Sequence, residues 1–246
     1  MAKENVTSNK HSATGRIKNR LHIHTVFFIL LVLLLSTFYL YYEWQFYNGN
    51  AASEAIKLAQ SVEALMHPEH ILGLSGSDAD LQTPEYDMAK TSLMRLTRAN
   101  SAIQSAYILG EFDGNTVYLL DSELPGAPDY SPPGQSYGDA AKTRWKSILS
   151  GESVITSQTT DKSGSVISVF VPMRESGGGR VIAVLGFDYS AAGWRAAIWK
   201  NMLPDIVIVV CVLLICLSLL RILLQHFRFK ELNRRLTHNE ALYRSV

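Results

Sequence analysis

"SVISVFVPMRESGGGRVIAVLGFDYS", residues Ser165 to Ser190, sets two apolar runs on either side of three consecutive glycines. Runs of this length rich in Val, Ile and Phe read as β-strands, and glycines tolerate the positive φ angles of a reverse turn. The stretch therefore reads as an antiparallel pair. On the second strand, alternation puts Ile182, Val184, Gly186 and Asp188 on one face and Val181, Ala183, Leu185, Phe187 and Tyr189 on the other. Asp188 closes an apolar row beside a glycine that leaves room. A desolvated carboxylate in that place wants a cationic partner, with Arg144, Arg174 and a ligand amine as the choices.

Toward the N-terminus, "SAYILGEF" and "NTVYLLDS" flank Asp113-Gly114, a hairpin signal. Two helical patterns precede them. "NAASEAIKLAQSVEALMH" repeats apolar residues at helical spacing until Pro68, and "TPEYDMAKTSLMRLTRAN" begins with Thr83 as N-cap, Pro84 at the first helical position and Glu85 in the first turn. After the hairpin come a proline-rich segment, a short helix over "DAAKTRWKSILSG" and a strand over "SVITSQTT". Two helices followed by five strands with one helix inserted make an α+β domain with an antiparallel sheet.

The proline-rich segment, "DSELPGAPDYSPPGQSY" from Asp121 to Tyr137, is long for a connection. Prolines lower the entropy lost when it orders, and tyrosines supply large contact area with one polar handle. Two readings stand: a lid over a ligand, or a cover for an otherwise exposed face of the sheet.

Residues 21–42 carry no formal charge, contain "FFILLVLLL" and run into the aromatic "YLYYEW" of residues 39–44, which suits an uncleaved membrane span better than a signal peptide. Residues 203–224 form a second span, with Arg221 able to snorkel to the interface. Residues 1–20 hold five basic and one acidic side chain, residues 221–246 six and two, and residues 43–205 twelve and nineteen. Basic flanks stay inside, so both termini are expected in the cytoplasm and residues 43–202 outside, with the lipid bilayer as partner. An acidic outer domain speaks against nucleic acid, which needs a basic face.

Both cysteines, Cys211 and Cys216, fall in the second span, where packing explains them and no disulfide is implied. His67 and His70 lack the further ligands a metal needs, "GLSGS" is not the G-x-S-x-G elbow, and no glycine-rich phosphate loop precedes a helix. Neither a catalytic residue nor a cofactor is expected. The chain is not read as an enzyme.

Taken together, the helix after the first span, "TPEY" before a second helix, "YIL" in a strand, the Asp121–Tyr137 segment and "VPMRESGGGRVIAVLGFDYSAAGW" resemble the extracytoplasmic Cache domains of bacterial and archaeal receptors. These are PAS-like sensor folds, found ahead of histidine kinases, diguanylate cyclases and chemoreceptors. Such sensors commonly carry an aromatic residue where Ser165 follows Gly164 here. The resemblance covers about residues 50 to 200 and implies that Asp188 holds a ligand's amino group. Asp121, Tyr130, Trp145, Tyr107, Tyr118 and Arg174 complete the candidate pocket for an amine or amino acid.

"NRRLTHNEALYRSV" looks like the helix that leads into a cytoplasmic PAS domain, so residues 225–246 are expected to act as a signal helix ahead of an output module. A histidine kinase is the foremost expectation, with a diguanylate cyclase, a chemoreceptor or a membrane-anchored protein-docking domain as alternatives. From Ile222 the series Gln225, Phe229, Leu232, Leu236, Asn239, Tyr243 and Val246 advances by threes and fours, the seam of a parallel coiled coil in a homodimer.

Overall fold

Two tight turns fix the strand pairing in the computed structural model, which describes residues 2–138, 142–161, 164–175 and 177–243. Asp113 and Gly114 both adopt positive φ, 50° and 77°, as a two-residue hairpin turn demands, and join β1 (Ile103–Phe112) to β2 (Asn115–Asp121). Gly177 and Gly178, at 98° and 81°, turn β5 (Gly164–Arg174) into β6 (Val181–Ser190), closed by the Glu175 N–H donating to the Arg180 carbonyl and the Gly178 N–H donating to the Glu175 carbonyl. The other edge of β6 is taken by β1, so the antiparallel sheet runs β2-β1-β6-β5-β3, with β4 also on β5.

The segment "SVITSQTT" departs from the expected single strand. It forms two pieces, β3 (Val154–Ile155) and β4 (Thr159–Asp161). At the break, Thr156 donates its N–H to the Ser168 carbonyl at 2.8 Å while its hydroxyl accepts the Ser168 N–H at 2.9 Å. A side chain thus replaces a ladder bond, and the chain bends there.

Alternation sends the two faces of the sheet into two separate cores. One face packs its Ile108, Leu119, Val169, Leu185 and Phe187 against helices α1 (Ala2–Glu63), α2 (Pro68–Leu72) and α3 (Pro84–Ala99) through Ala55, Ala59, Ile71 and Leu93. The other holds Tyr107, Leu109, Phe170 and Val184 under α4 (Lys142–Leu149), which contributes Trp145 and Ile148. At the start of α3, Thr83 caps as its sequence predicts, its hydroxyl accepting the Tyr86 N–H at 3.3 Å with Pro84 next. Ile182 alone leaves its row, packing on the helical side near the hairpin end.

The proline-rich segment returns along the free edge of β2. Tyr118 donates its N–H to Gln135 at 2.9 Å, Gly134 to Tyr118 at 2.9 Å and Tyr137 to Thr116 at 2.8 Å, so the outer edge of the sheet is paired. Gly134 has φ of 81° and passes so close to Gly76 that a Cβ would sit 2.6 Å from the Gly76 carbonyl oxygen. The segment covers the edge, and it also lays Tyr137 on the second core.

The chain divides into two compact units, residues Phe46–Asn201 with the sheet and residues Met1–Gln45 together with Met202–Val246. Two helical stretches, Ile23–Glu63 and Ala191–Lys230, are long and apolar enough to cross a membrane, with 18-residue windows of mean hydropathy 2.3 and 3.2. They belong to α1 and to α5 (Ala191–Tyr243), which carries Pro204 inside it. Tyr39 donates its hydroxyl to Asp205 at 3.0 Å between the two.

Candidate functional site

The register of three strands builds a compact pattern on the second face. Gly186 of β6 has Tyr107 of β1 on one side and Phe170 of β5 on the other, and the neighbouring row is Ser105, Asp188 and Ser168. Tyr107 lies flat over Gly186, where any added methyl would run into the ring. That posture carries its hydroxyl to Asp188, donating to Oδ1 at 2.9 Å, while the Ser105 hydroxyl donates to Oδ2 at 3.3 Å. Asp188 itself is 5% exposed.

Aromatic rings close over this carboxylate. Tyr107 meets Tyr118 edge-on at 5.5 Å between centroids, and Tyr137 from the proline-rich segment contacts Tyr107, Tyr118 and Phe170 at 5.7, 5.3 and 6.1 Å. The hydroxyls of Tyr107 and Tyr137 stand 3.2 Å apart. Since the single proton of Tyr107 goes to Asp188, the Tyr137 hydroxyl is the donor of that second bond. Burial, followed by the charge on Asp188 and the neighbouring Tyr137, pushes the Tyr107 hydroxyl well above its ordinary pKa, which keeps it a donor. Trp145 belongs to the same core, but its indole N–H donates to Glu111 Oε2 at 2.9 Å.

Asp121 and Tyr130 take a different place. The ammonium of Lys90, on the buried face of α3, donates to the Asp121 carbonyl at 3.0 Å, to Asp121 Oδ1 at 3.2 Å and to the Glu123 carbonyl at 2.6 Å. It also lies 5.0 Å from the ring centre of Tyr130 and 5.8 Å from that of Tyr86. The other oxygen of Asp121 accepts the Ser131 N–H at 2.6 Å. The chain's own lysine thus fills an ammonium site built of a carboxylate, two carbonyls and two aromatic faces, and it ties the start of the proline-rich segment to α3. Burial pushes the Asp121 carboxyl above its ordinary value, while the Ser131 N–H and the Lys90 ammonium pull it back.

Arg174 does not come to Asp188. It pairs with Val181 beside the turn, whereas Ser168 pairs with Asp188, so six residues of β5, roughly 20 Å, separate them. Its guanidinium donates instead to the Gly179 carbonyl at 3.3 Å. The side chain of Arg144 lies outside the described residues. The structure therefore joins Asp188, Tyr107, Tyr118 and Trp145 in one core, puts Asp121 and Tyr130 around Lys90, and adds Tyr137, Phe170 and Ser105. Phe170 and Ser105 were readable from strand register, and Lys90 from its place in the apolar stripe of Tyr86, Ala89 and Leu93. Among the described residues no group of three or more His, Cys, Asp or Glu side chains is arranged to hold a metal.

No protein-family model matches the chain, and no curated protein does. Solved structures similar to it include the ligand-binding domain of the Campylobacter jejuni chemoreceptor Tlp3 with L-valine, at 20% identity over 65% of this chain with a TM-score of 0.43. Two others are the Pseudomonas aeruginosa PAO1 amino acid chemoreceptor domains of PctB with L-Arg (20% identity, 62% of this chain, 55% of that one, TM-score 0.36) and PctC with GABA (17%, 65%, 66%, TM-score 0.41). The chain spans 60% of the Tlp3 domain it matches.

Two outcomes follow from these contacts. Gly186→Ala displaces the Tyr107 ring and costs about 1–3 kcal/mol, as overpacking does; loss of the tyrosine near-ultraviolet dichroism together with a lower melting temperature checks it. Lys90→Ala leaves a buried carboxylate without its cation and costs about 3–5 kcal/mol at neutral pH. Propylammonium, which replaces the deleted atoms, restores part of that loss. The Asp121 carboxyl then titrates higher still, because a group that lowered its pKa is gone, and carbon NMR of Asp121 reads the shift. A carboxyl raised in the fold favours folding below its unfolded pKa, and that contribution is lost as pH rises through the folded value.

Proposed function

We propose that the chain is a two-span membrane sensor whose Phe46–Asn201 unit binds a small ammonium-bearing ligand, an amine or amino acid, at the Asp188 cluster. One observation carries the reading: a buried carboxylate lies at the end of a box of tyrosine rings, with Tyr107 and Ser105 hydroxyls fixing both oxygens. A carboxylate recognises an ammonium by charge-assisted hydrogen bonds, and tyrosine faces add cation–π attraction. The rings pack closed, so binding requires Tyr137 to swing out with the end of the proline-rich segment. That gives the segment a lid's work alongside its edge cover.

In this reading the unit lies outside the cell, both termini lie inside, and the chain performs no catalysis of its own. Output passes along α5 to a module beyond residue 243, with a histidine kinase the foremost choice and a diguanylate cyclase or chemoreceptor the alternatives. Ile222, Phe229, Leu232 and Leu236 are each more than half exposed along α5 and so open to a second copy, as the parallel homodimer seam requires. Val246 and the side chains of Asn239 and Tyr243 lie outside the described residues.

A thermal-shift screen of the full chain in nanodiscs against primary amines, amino acids and organic acids tests the ligand reading. A ligand at 100 times its dissociation constant adds about 2.7 kcal/mol, and Asp188→Asn removes that gain while the protein still melts cooperatively. Binding unaffected by Asp188→Asn takes Asp188 out of the site, and flat curves for every compound favour the protein-docking alternative. For the dimer, single cysteines at Leu232 or Leu236 crosslink between chains in membranes and one at Arg234 does not. Equal crosslinking at all three positions defeats the seam.

A further inference from the structure

Strands β1 and β6 pair from Ile103 with Tyr189 to Leu109 with Val184, and there the ladder stops. Both strands run on. Among the described residues, 110–112 pair only with β2 and 181–183 only with β5, so each strand turns one backbone edge toward a gap. The gap is a cleft of about 510 Å³, walled by Leu72 and Leu74 on one side and by Trp145 and Leu149 of α4 on the other. Glu111 on β1 and Arg180, the residue just ahead of β6, bring opposite charges to it from two separate parts of the chain. The Glu111 carboxylate is held in place by the Trp145 indole at 2.9 Å.

We infer that this cleft is a second binding site, for a short zwitterionic peptide of two or three residues with apolar side chains. Each part of such a ligand meets its chemical complement. Strand edges bind the N–H and C=O of an extended peptide bond, the apolar walls take its side chains, Glu111 takes the free ammonium and Arg180 the carboxylate. Two or three extended residues span about 7 to 10 Å, and the volume falls in the range of small-ligand pockets. A single amino acid lacks the internal amide that the strand edges read. Val184 and Asp188 are four residues apart on β6, about 13 Å, so the charged groups of the two sites are distinct, although Trp145 and Val184 belong to the core that also holds Tyr107.

Isothermal titration of the full chain in nanodiscs with the dipeptide Leu-Leu, its N-acetyl C-amide form and free leucine is the test. In the Asp188→Asn protein the free dipeptide binds, while the capped form and leucine bind at least about tenfold more weakly. Glu111→Gln, which keeps an oxygen for Trp145, and Arg180→Gln each weaken the dipeptide about tenfold, and Asp188→Asn leaves it unchanged. No heat of binding up to about 10 mM, loss of dipeptide binding in Asp188→Asn, or, in the Asp188→Asn protein, equal binding of dipeptide and leucine overturns the assignment. Circular dichroism of each variant separates a lost contact from a lost fold.

Discussion

Tyr107 lies against the bare backbone of Gly186, and the arrangement of the second core follows from that contact. With a Cβ at position 186 the ring has no seat. With the glycine, the phenol reaches two residues along the neighbouring strand to Asp188, which fixes the carboxylate, and presents its outer face to Tyr137. Tyr137 in turn pins the end of the proline-rich segment, whose backbone then closes the edge of β2. One missing methyl group thus links the centre of the sheet to its rim.

The hairpins, the caps and the two apolar spans were legible because each is decided by local chemistry. Asp113-Gly114 demands positive φ at two residues, Thr83-Pro84 satisfies a helix start, and long uncharged runs suit hydrocarbon. Alternation along Val181–Ser190 also placed Asp188 on its observed face, since a buried strand has only two. Arg174 was misassigned for a reason that counting removes: the Gly177-Gly178 turn folds Val181 back beside Arg174, which sends Asp188 to the far end of the pair. Which tyrosine of the segment reaches the core was not legible. Tyr130 and Tyr137 are alike locally, and the choice depends on the bonds to Thr116 and Gln135 and on an internal lysine drawing Tyr130 aside.

Lys90 also shows what this fold does with an ammonium. Its site uses one carboxylate, backbone carbonyls and two phenol faces, and its side chain is 9% exposed. A buried cation is tolerated only when its hydrogen bonds are met and a counter-charge is near, and both conditions hold. At Asp188 the carboxylate and phenol faces recur, but hydroxyls stand where the Lys90 site has carbonyls. Hydroxyls can rotate from donating to a carboxylate to accepting from an ammonium, whereas carbonyls can only accept. The Lys90 site therefore suits a permanent resident, and the hydroxyls at Asp188 fit the exchangeable ligand that the proposed function places there.

Under the proposed function, a ligand at Asp188 would act on the rest of the chain through adjacent residues of β6. Successive side chains of a strand point to opposite faces, so a movement that draws Asp188 toward a ligand shifts Tyr189 on the helical side by the same backbone. Tyr189 meets Trp194 of α5 edge-on at 5.6 Å, and the Trp194 indole donates to Asn48 of α1 at 3.0 Å. Only Ser190 lies between Tyr189 and the first residue of α5. A ligand shifts an equilibrium only by its unequal affinity for two arrangements, and here the arrangement it senses at Asp188 is mechanically joined, within six residues, to both helices that run on into the apolar spans. On the proposed function, a displacement of β6 would be felt at the Trp194–Asn48 contact, because packed side chains repack in steps rather than stretch.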